Sequence, residues 1–169
     1  MIKTNNFQEL IEKVNRMKKN GEVDLSVEED LSIAIMNLIS LEEHFFFTAE
    51  KTGKPGYFDL LQEIRAMRTG LMKKMIKNPE GEEWCISKHL LAASMRLIEV
   101  GTKQHKMGKK VEAEEMFNKS YELFSLFFSI RLKLLDIPNI KRESLEDTDS
   151  GKPWTKEQIM TELLDCCKE

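Results

Sequence analysis

SVEEDLSIAIMNLISLEEHFFFTAEKT, residues 26–52, is the stretch on which the reading of the fold turns. Leu31, Ala34, Ile35, Leu38, Leu41, Phe45 and Ala49 recur at steps of three and four, which puts them on one face of an α-helix. Ser26 and Glu29 have the spacing of a capping box, and Gly53-Lys54-Pro55-Gly56 stops the pattern.

The same pitch continues on both sides. Tyr57 to about Lys77 reads as a helix, stopped by Asn78-Pro79-Glu80-Gly81. Glu82 to Met107 reads as the next, with Gly108 as its stop, and Lys110 to Asp136 as a fourth long one, stopped near Pro138. Before the quoted stretch, Phe7, Leu10, Ile11, Val14 and Met17 predict a short amphipathic helix ended by Asn20-Gly21. After it, residues 137–154 are a polar linker centred on Glu146-Asp147-Thr148-Asp149-Ser150-Gly151, and residues 155–169 form a last short helix, capped by Thr155 and Gln158. No useful period-two alternation occurs, so no sheet is expected. Short connections make consecutive helices antiparallel. The expected fold is all-α: an antiparallel four-helix up-and-down bundle over residues 1–136, with a short amphipathic helix at each terminus.

Composition narrows the function classes. The chain has 169 residues, 41% of them apolar and 33% charged, which suits one globular domain and opposes disorder. A net charge of −3 opposes a dedicated nucleic-acid binder. Yet charge is segregated: residues 1–50 carry −5, residues 51–110 carry +7 and residues 111–169 carry −5. Lys73, Lys74 and Lys77 end one helix and Lys103, Lys106, Lys109 and Lys110 the next, where cations complement the helix dipole. The basic middle leaves binding of RNA or another polyanion as a third reading. No continuous apolar run reaches membrane-spanning length, and residues 1–20 lack a secretory pattern, so no membrane partner is expected. Cys85, Cys166 and Cys167 are badly spaced for a disulfide framework, which points to a reducing, cytoplasmic setting.

Residues 94–127 resemble a tetratricopeptide hairpin. Leu97, Gly101, Gly108, Ala113, Phe117 and Ser120 fall where that family alternates small and large residues, while Gln104 and Ser125 depart from its aromatic and proline positions. The match covers one hairpin and finds no second copy in the preceding one. The resemblance implies close helix packing, a protein-binding scaffold and no catalysis.

Three charges fall on apolar faces. Glu42 lies near the centre of the face in residues 26–52, Arg68 within the face of residues 57–77, and Arg131 within that of residues 110–136. A lone buried charge is too costly to persist. Folding back about the Lys54 turn brings Glu42 and Arg68 to nearly one height, so they are expected to pair, with Ser94 and Tyr121 completing a polar layer. Arg131 lies at another level, near Glu28 and Asp30. No Glu-x-x-His occurs, and His44, His89 and His105 read as edge or solvated residues, so neither a metal nor a cofactor is expected. No phosphate loop or nucleophile elbow is present.

Apolar surface is left over. Ile33, Met36 and Phe47 lie on the side of their helix opposite Leu38, and Leu123, Leu126 and Ile130 lie outside the main stripe of theirs. The N-terminal helix, the Ile159/Leu163/Leu164 face of the C-terminal helix or another chain could cover them, and these six residues are the expected protein interface, toward a protein partner or a second copy. The leading expectation is a non-catalytic bundle that mediates protein–protein interaction or self-association. The alternative is a small-molecule- or metal-binding bundle, possibly enzymatic, centred on Glu42 and Arg68.

Overall fold

A computed structural model describes residues 12, 15–17, 19–21, 25–79 and 82–134 of the chain. Residues 12, 15–17 and 19 are helical. Four long helices follow: α1 (Leu25–Thr52), α2 (Gly56–Met75), α3 (Glu83–Lys106) and α4 (Lys110–Arg131). The described residues contain no strand: they are α-helices joined by turns. None of these helices is long and apolar enough to cross a membrane. The expected linker and C-terminal helix lie outside the described residues, as does most of the expected N-terminal helix.

Each helix ends where the backbone can leave it. The Gly53 N–H donates to the Ala49 carbonyl at 2.9 Å, and Pro55 opens α2. Past α3, the Gly108 N–H reaches His105 O and the Lys109 N–H reaches Gln104 O, a Schellman closure with Gly108 at φ +80°. Past α4 the same pair of bonds recurs, from Lys133 to Ile130 and from Leu134 to Ser129, but a lysine sits in the left-handed position at φ +51°. This closure ends α4 at Arg131, five residues before the Asp136 expected from periodicity. α1 begins at Leu25, so Ser26 lies inside the first turn instead of capping it.

The helices pack as two antiparallel hairpins, α1 with α2 and α3 with α4, and the hairpins meet through α1 and α3. Cross-links fix the directions. Glu42 bonds Arg68, whereas Phe45, farther along α1, stacks on Tyr57 near the start of α2. Ser94 bonds Ser120, whereas Gly101 lies against Phe117. Arg96 of α3 bonds Ser40 and pairs with Glu43 of α1, and Arg131 near the end of α4 reaches Glu28 near the start of α1. Both hairpin turns therefore lie at one end of the molecule.

The shared core sits toward the other end. Ile35 and Met36 of α1, Met72, Met75 and Ile76 at the end of α2, Leu91 of α3 and Phe127 of α4 form one buried cluster. Leu31, Ile39, Leu71 and Phe124 pack against it. Two residues expected at an interface belong to the interior instead: Met36 and Ile130 are buried. The buried arc of α1 is turned toward Ser32, Met36 and Ile39, away from Ala34, which is exposed. α1 packs on two neighbours, α2 and α3, and that widens the arc it must bury.

The two Schellman closures differ in one side chain, which makes a direct comparison. A non-glycine residue in the left-handed region costs on the order of 1 kcal/mol. Lys133→Gly is expected to stabilise the protein by about that amount, raising Tm by roughly 2–4 °C. Gly108→Ala should lower it by a similar step. Urea midpoints read at unchanged m-value check both.

Candidate functional site

The polar interior is built from three levels of side-chain pairing. At the first, Glu42 points from α1 at α2, where Arg65 and Arg68 are one turn apart. Arg68 Nε donates to Glu42 Oε1 at 2.7 Å and Nη2 to Oε2 at 3.4 Å, and Arg65 Nε donates to Oε2 at 3.0 Å. Arg68 is 1% exposed and Glu42 8%. Arg68 Nη1 also lies 3.7 Å from Met72 Sδ, which ties the charge to the edge of the apolar core. Arg65 is largely exposed, so one guanidinium closes the carboxylate from inside and the other from the solvent edge.

At the second level α3 and α4 come close enough for two serines to bond across. Ser94 Oγ is 3.0 Å from Ser120 O, Ser120 Oγ is 2.9 Å from Ser94 O, and the two hydroxyls are 2.9 Å apart. Both serines are buried. Two helical turns on, Gly101 carries the Phe117 ring directly on its backbone, where a Cβ would lie 2.6 Å from the ring. Tyr121 takes no part in this layer. It is 74% exposed, and Ser120 occupies the inward position. One residue along a helix is a turn of about 100°, so only one of the two can face α3.

At the third level Arg131 Nη2 donates to Glu28 Oε1 at 3.0 Å, with both side chains mostly covered. This pair is single-pronged: Glu28 Oε2 and Arg131 Nε are buried without a hydrogen-bond partner among the described residues. It therefore ties the start of α1 to the end of α4 less firmly than Arg68 ties α2 to α1.

The chemistry of the first level opposes a metal. Two guanidinium groups already neutralise the Glu42 carboxylate, and a cation bound there would face both of them. No group of three potential metal-ligating side chains occurs among the described residues. His44, His89 and His105 are all exposed. Lys119, whose pKa its hydrogen bond to Glu115 raises above the ordinary lysine value, lies on the solvated side of α4.

The apolar residues expected at an interface divide. Ile33 and Phe47 are exposed on α1, Leu123 and Leu126 are half-buried on α4, and Met36 and Ile130 are in the interior. Exposed apolar residues outside that set matter more. Phe46 is 44% exposed, Leu60 41%, Ile98 38% and Phe117 37%. Phe46 follows the fully buried Ile35 by eleven residues, a near-whole number of turns. Leu60 precedes Leu71 by the same interval. Ile98 follows Leu91 by seven and Phe117 precedes Phe124 by seven, each nearly two turns. On α1 and α3 the stripes through the buried Ile35 and Leu91 lead to an exposed residue toward the turn end, whereas on α2 and α4 the stripes through the buried Met72 and Phe127 lead to Leu61 and Ser120, which are buried, and Leu60 and Phe117 are exposed beside them. Exposed Lys51, Lys54, Lys103, Lys106, Lys109 and Lys110 crowd the two turns with Glu50, Asp59 and Glu112, while the exposed Glu43, Glu63 and Glu114 stand three residues from Phe46, Leu60 and Phe117.

No protein-family model matches the chain, and no curated protein or solved structure is detectably similar to it.

The asymmetry of the first level has a measurable consequence. Glu42→Ala strands a fully buried guanidinium and should cost about 3–5 kcal/mol. Arg68→Ala leaves Glu42 still paired with Arg65 and should cost less. Replacing both together, as Glu42→Ala with Arg68→Ala, should cost clearly less than the two single losses added. Urea denaturation of the four proteins in a double-mutant cycle reads the coupling, expected at about 1–3 kcal/mol.

Proposed function

We propose that this protein is a non-catalytic interaction module: an antiparallel up-and-down bundle whose turn end receives an apolar helix with acidic flanks from a protein partner. One observation carries the reading. Exposed apolar side chains, Phe46, Leu60, Ile98 and Phe117, stand on or beside the core-facing stripes of all four helices toward one end. A stripe at helical pitch is the sequence signature of surface that is buried, and here the described residues bury only part of its length.

The chemistry of the partner follows from the rim. Lysines at the turn end favour acidic residues flanking an apolar stripe, which supplies both steering and orientation. The same lysines oppose end-to-end association of two copies, because that contact would set like charges together. An acidic partner is therefore favoured over a homodimer at this end. Ile33 and Phe47 extend the apolar surface along the flank of α1. The alternative of a ligand or metal site at Glu42 draws no support from a carboxylate already held by two arginines. Binding of RNA to the basic segment would leave the exposed apolar residues without a role.

Two sets of designed amphipathic helical peptides, identical in their apolar stripe and differing in acidic or basic flanks, would test this by fluorescence anisotropy. The acidic set is expected to bind, and Ile98→Glu to weaken binding at least about tenfold, or 1.4 kcal/mol. Binding of neither set, equal binding of both, or no effect of Ile98→Glu would overturn the reading.

A further inference from the structure

The turn end also bears on the C-terminal part of this chain, which lies outside the described residues. Resting on the function proposed above, we propose that residues 153–167 of the same molecule occupy the turn end and that an outside partner must displace them.

Apolar pattern, charge and reach each support this occupant. Ile159 and Leu163 recur at one helical turn, with Leu164 beside them, so the segment has the stripe the open end requires. Its charge is acidic: Glu157, Glu162 and Asp165 against Lys156. The linker before it, residues 135–152, carries Asp136, Glu143, Glu146, Asp147 and Asp149 against Lys141, Arg142 and Lys152. This is the complement of the lysines around the turn end, whereas a second copy's turn end would repeat them.

Reach is sufficient. The described chain stops at Leu134, and the Arg131–Glu28 pair places that point at the end opposite the turns. The way back is the length of α4, about 33 Å at 1.5 Å per residue. Residues 135–152 span up to about 60 Å when extended, so residues 153–167 arrive at the turn end without stretching the linker taut. A tether of this length holds the segment at an effective concentration in the millimolar range. The tethered segment therefore competes with any untethered helix for the same surface.

The test uses the full chain. A photo-crosslinking p-benzoylphenylalanine is placed at Ile98 and, separately, at Phe46. Irradiation is expected to give a product of monomer mass linked to residues 153–167, and Ile159→Glu with Leu163→Glu should abolish it. A product of dimer mass, links only among the four helices, or no link at all would overturn the proposal. The acidic helical peptides are then titrated into the wild type and into the Ile159→Glu/Leu163→Glu protein. Affinity at least about tenfold higher for the variant is expected, since the tethered competitor is gone. Equal binding by both proteins overturns internal docking and leaves the module reading standing. A monomer crosslink with no peptide bound by either protein supports docking and overturns the module reading.

Discussion

A guanidinium leaves water only with its counter-charge, and Arg68 is almost wholly out of water. That requirement fixes the first hairpin. Glu42 has to stand opposite Arg68, and once it does, the register of α1 on α2 is set along their whole length. Phe45 then meets Tyr57 near the turn, and Met72 and Met75 are carried to the level of Ile35 and Met36. Sliding α2 by one turn would break three hydrogen bonds to one carboxylate and leave a bare charge inside. The pair need add little net stability to do this, because what it penalises is every other register.

The second hairpin solves the same problem with small residues instead of charge. Ser94 and Ser120 bond across two backbones, and Gly101 lets Phe117 lie flat on α3. Close approach within each hairpin means that side chains between hairpins supply the rest of the core. They do so where α1 meets α3, with Ile35, Leu91 and Phe127 fully buried. Toward the turns burial is largely a matter within hairpins: Ala49 and Leu61 in one, Gly101 and Ala113 in the other.

Much of this was legible in the sequence because helical pitch and stop residues are local. The four long helices, the shared height of Glu42 and Arg68, and the nearness of Arg131 to Glu28 all follow from counting residues from turns. What counting misses is rotation and partnership. Tyr121 and Ser120 differ by one residue, and which faces inward depends on how closely α4 approaches α3. Met36 and Ile130 read as surplus apolar surface, because a single-face pattern cannot show that α1 packs on two neighbours. Arg65 carries no signal in the apolar pattern, since only the observed hairpin shows that a second guanidinium completes the carboxylate. The end of α4 is hidden for another reason: a Schellman closure announces itself through glycine, as at Gly108, and Lys133 carries no such mark.

The polar pairs and the exposed stripes are two sides of one economy of burial. Polar groups at Glu42, Arg68, Ser94 and Ser120 are satisfied within the fold, so they leave little unspent chemistry for a ligand. The apolar residues at the turn end are in the opposite state, presented at core pitch without a core around them. Catalysis would require convergent polar groups held ready for a reacting molecule, and Glu42 and Arg68, like Ser94 and Ser120, are already matched to one another. Surface recognition requires apolar anchors with a charged rim, and the turn end combines both. The distribution of satisfied and exposed surface is what supports the proposed binding module, with its apolar anchors at Phe46, Leu60, Ile98 and Phe117.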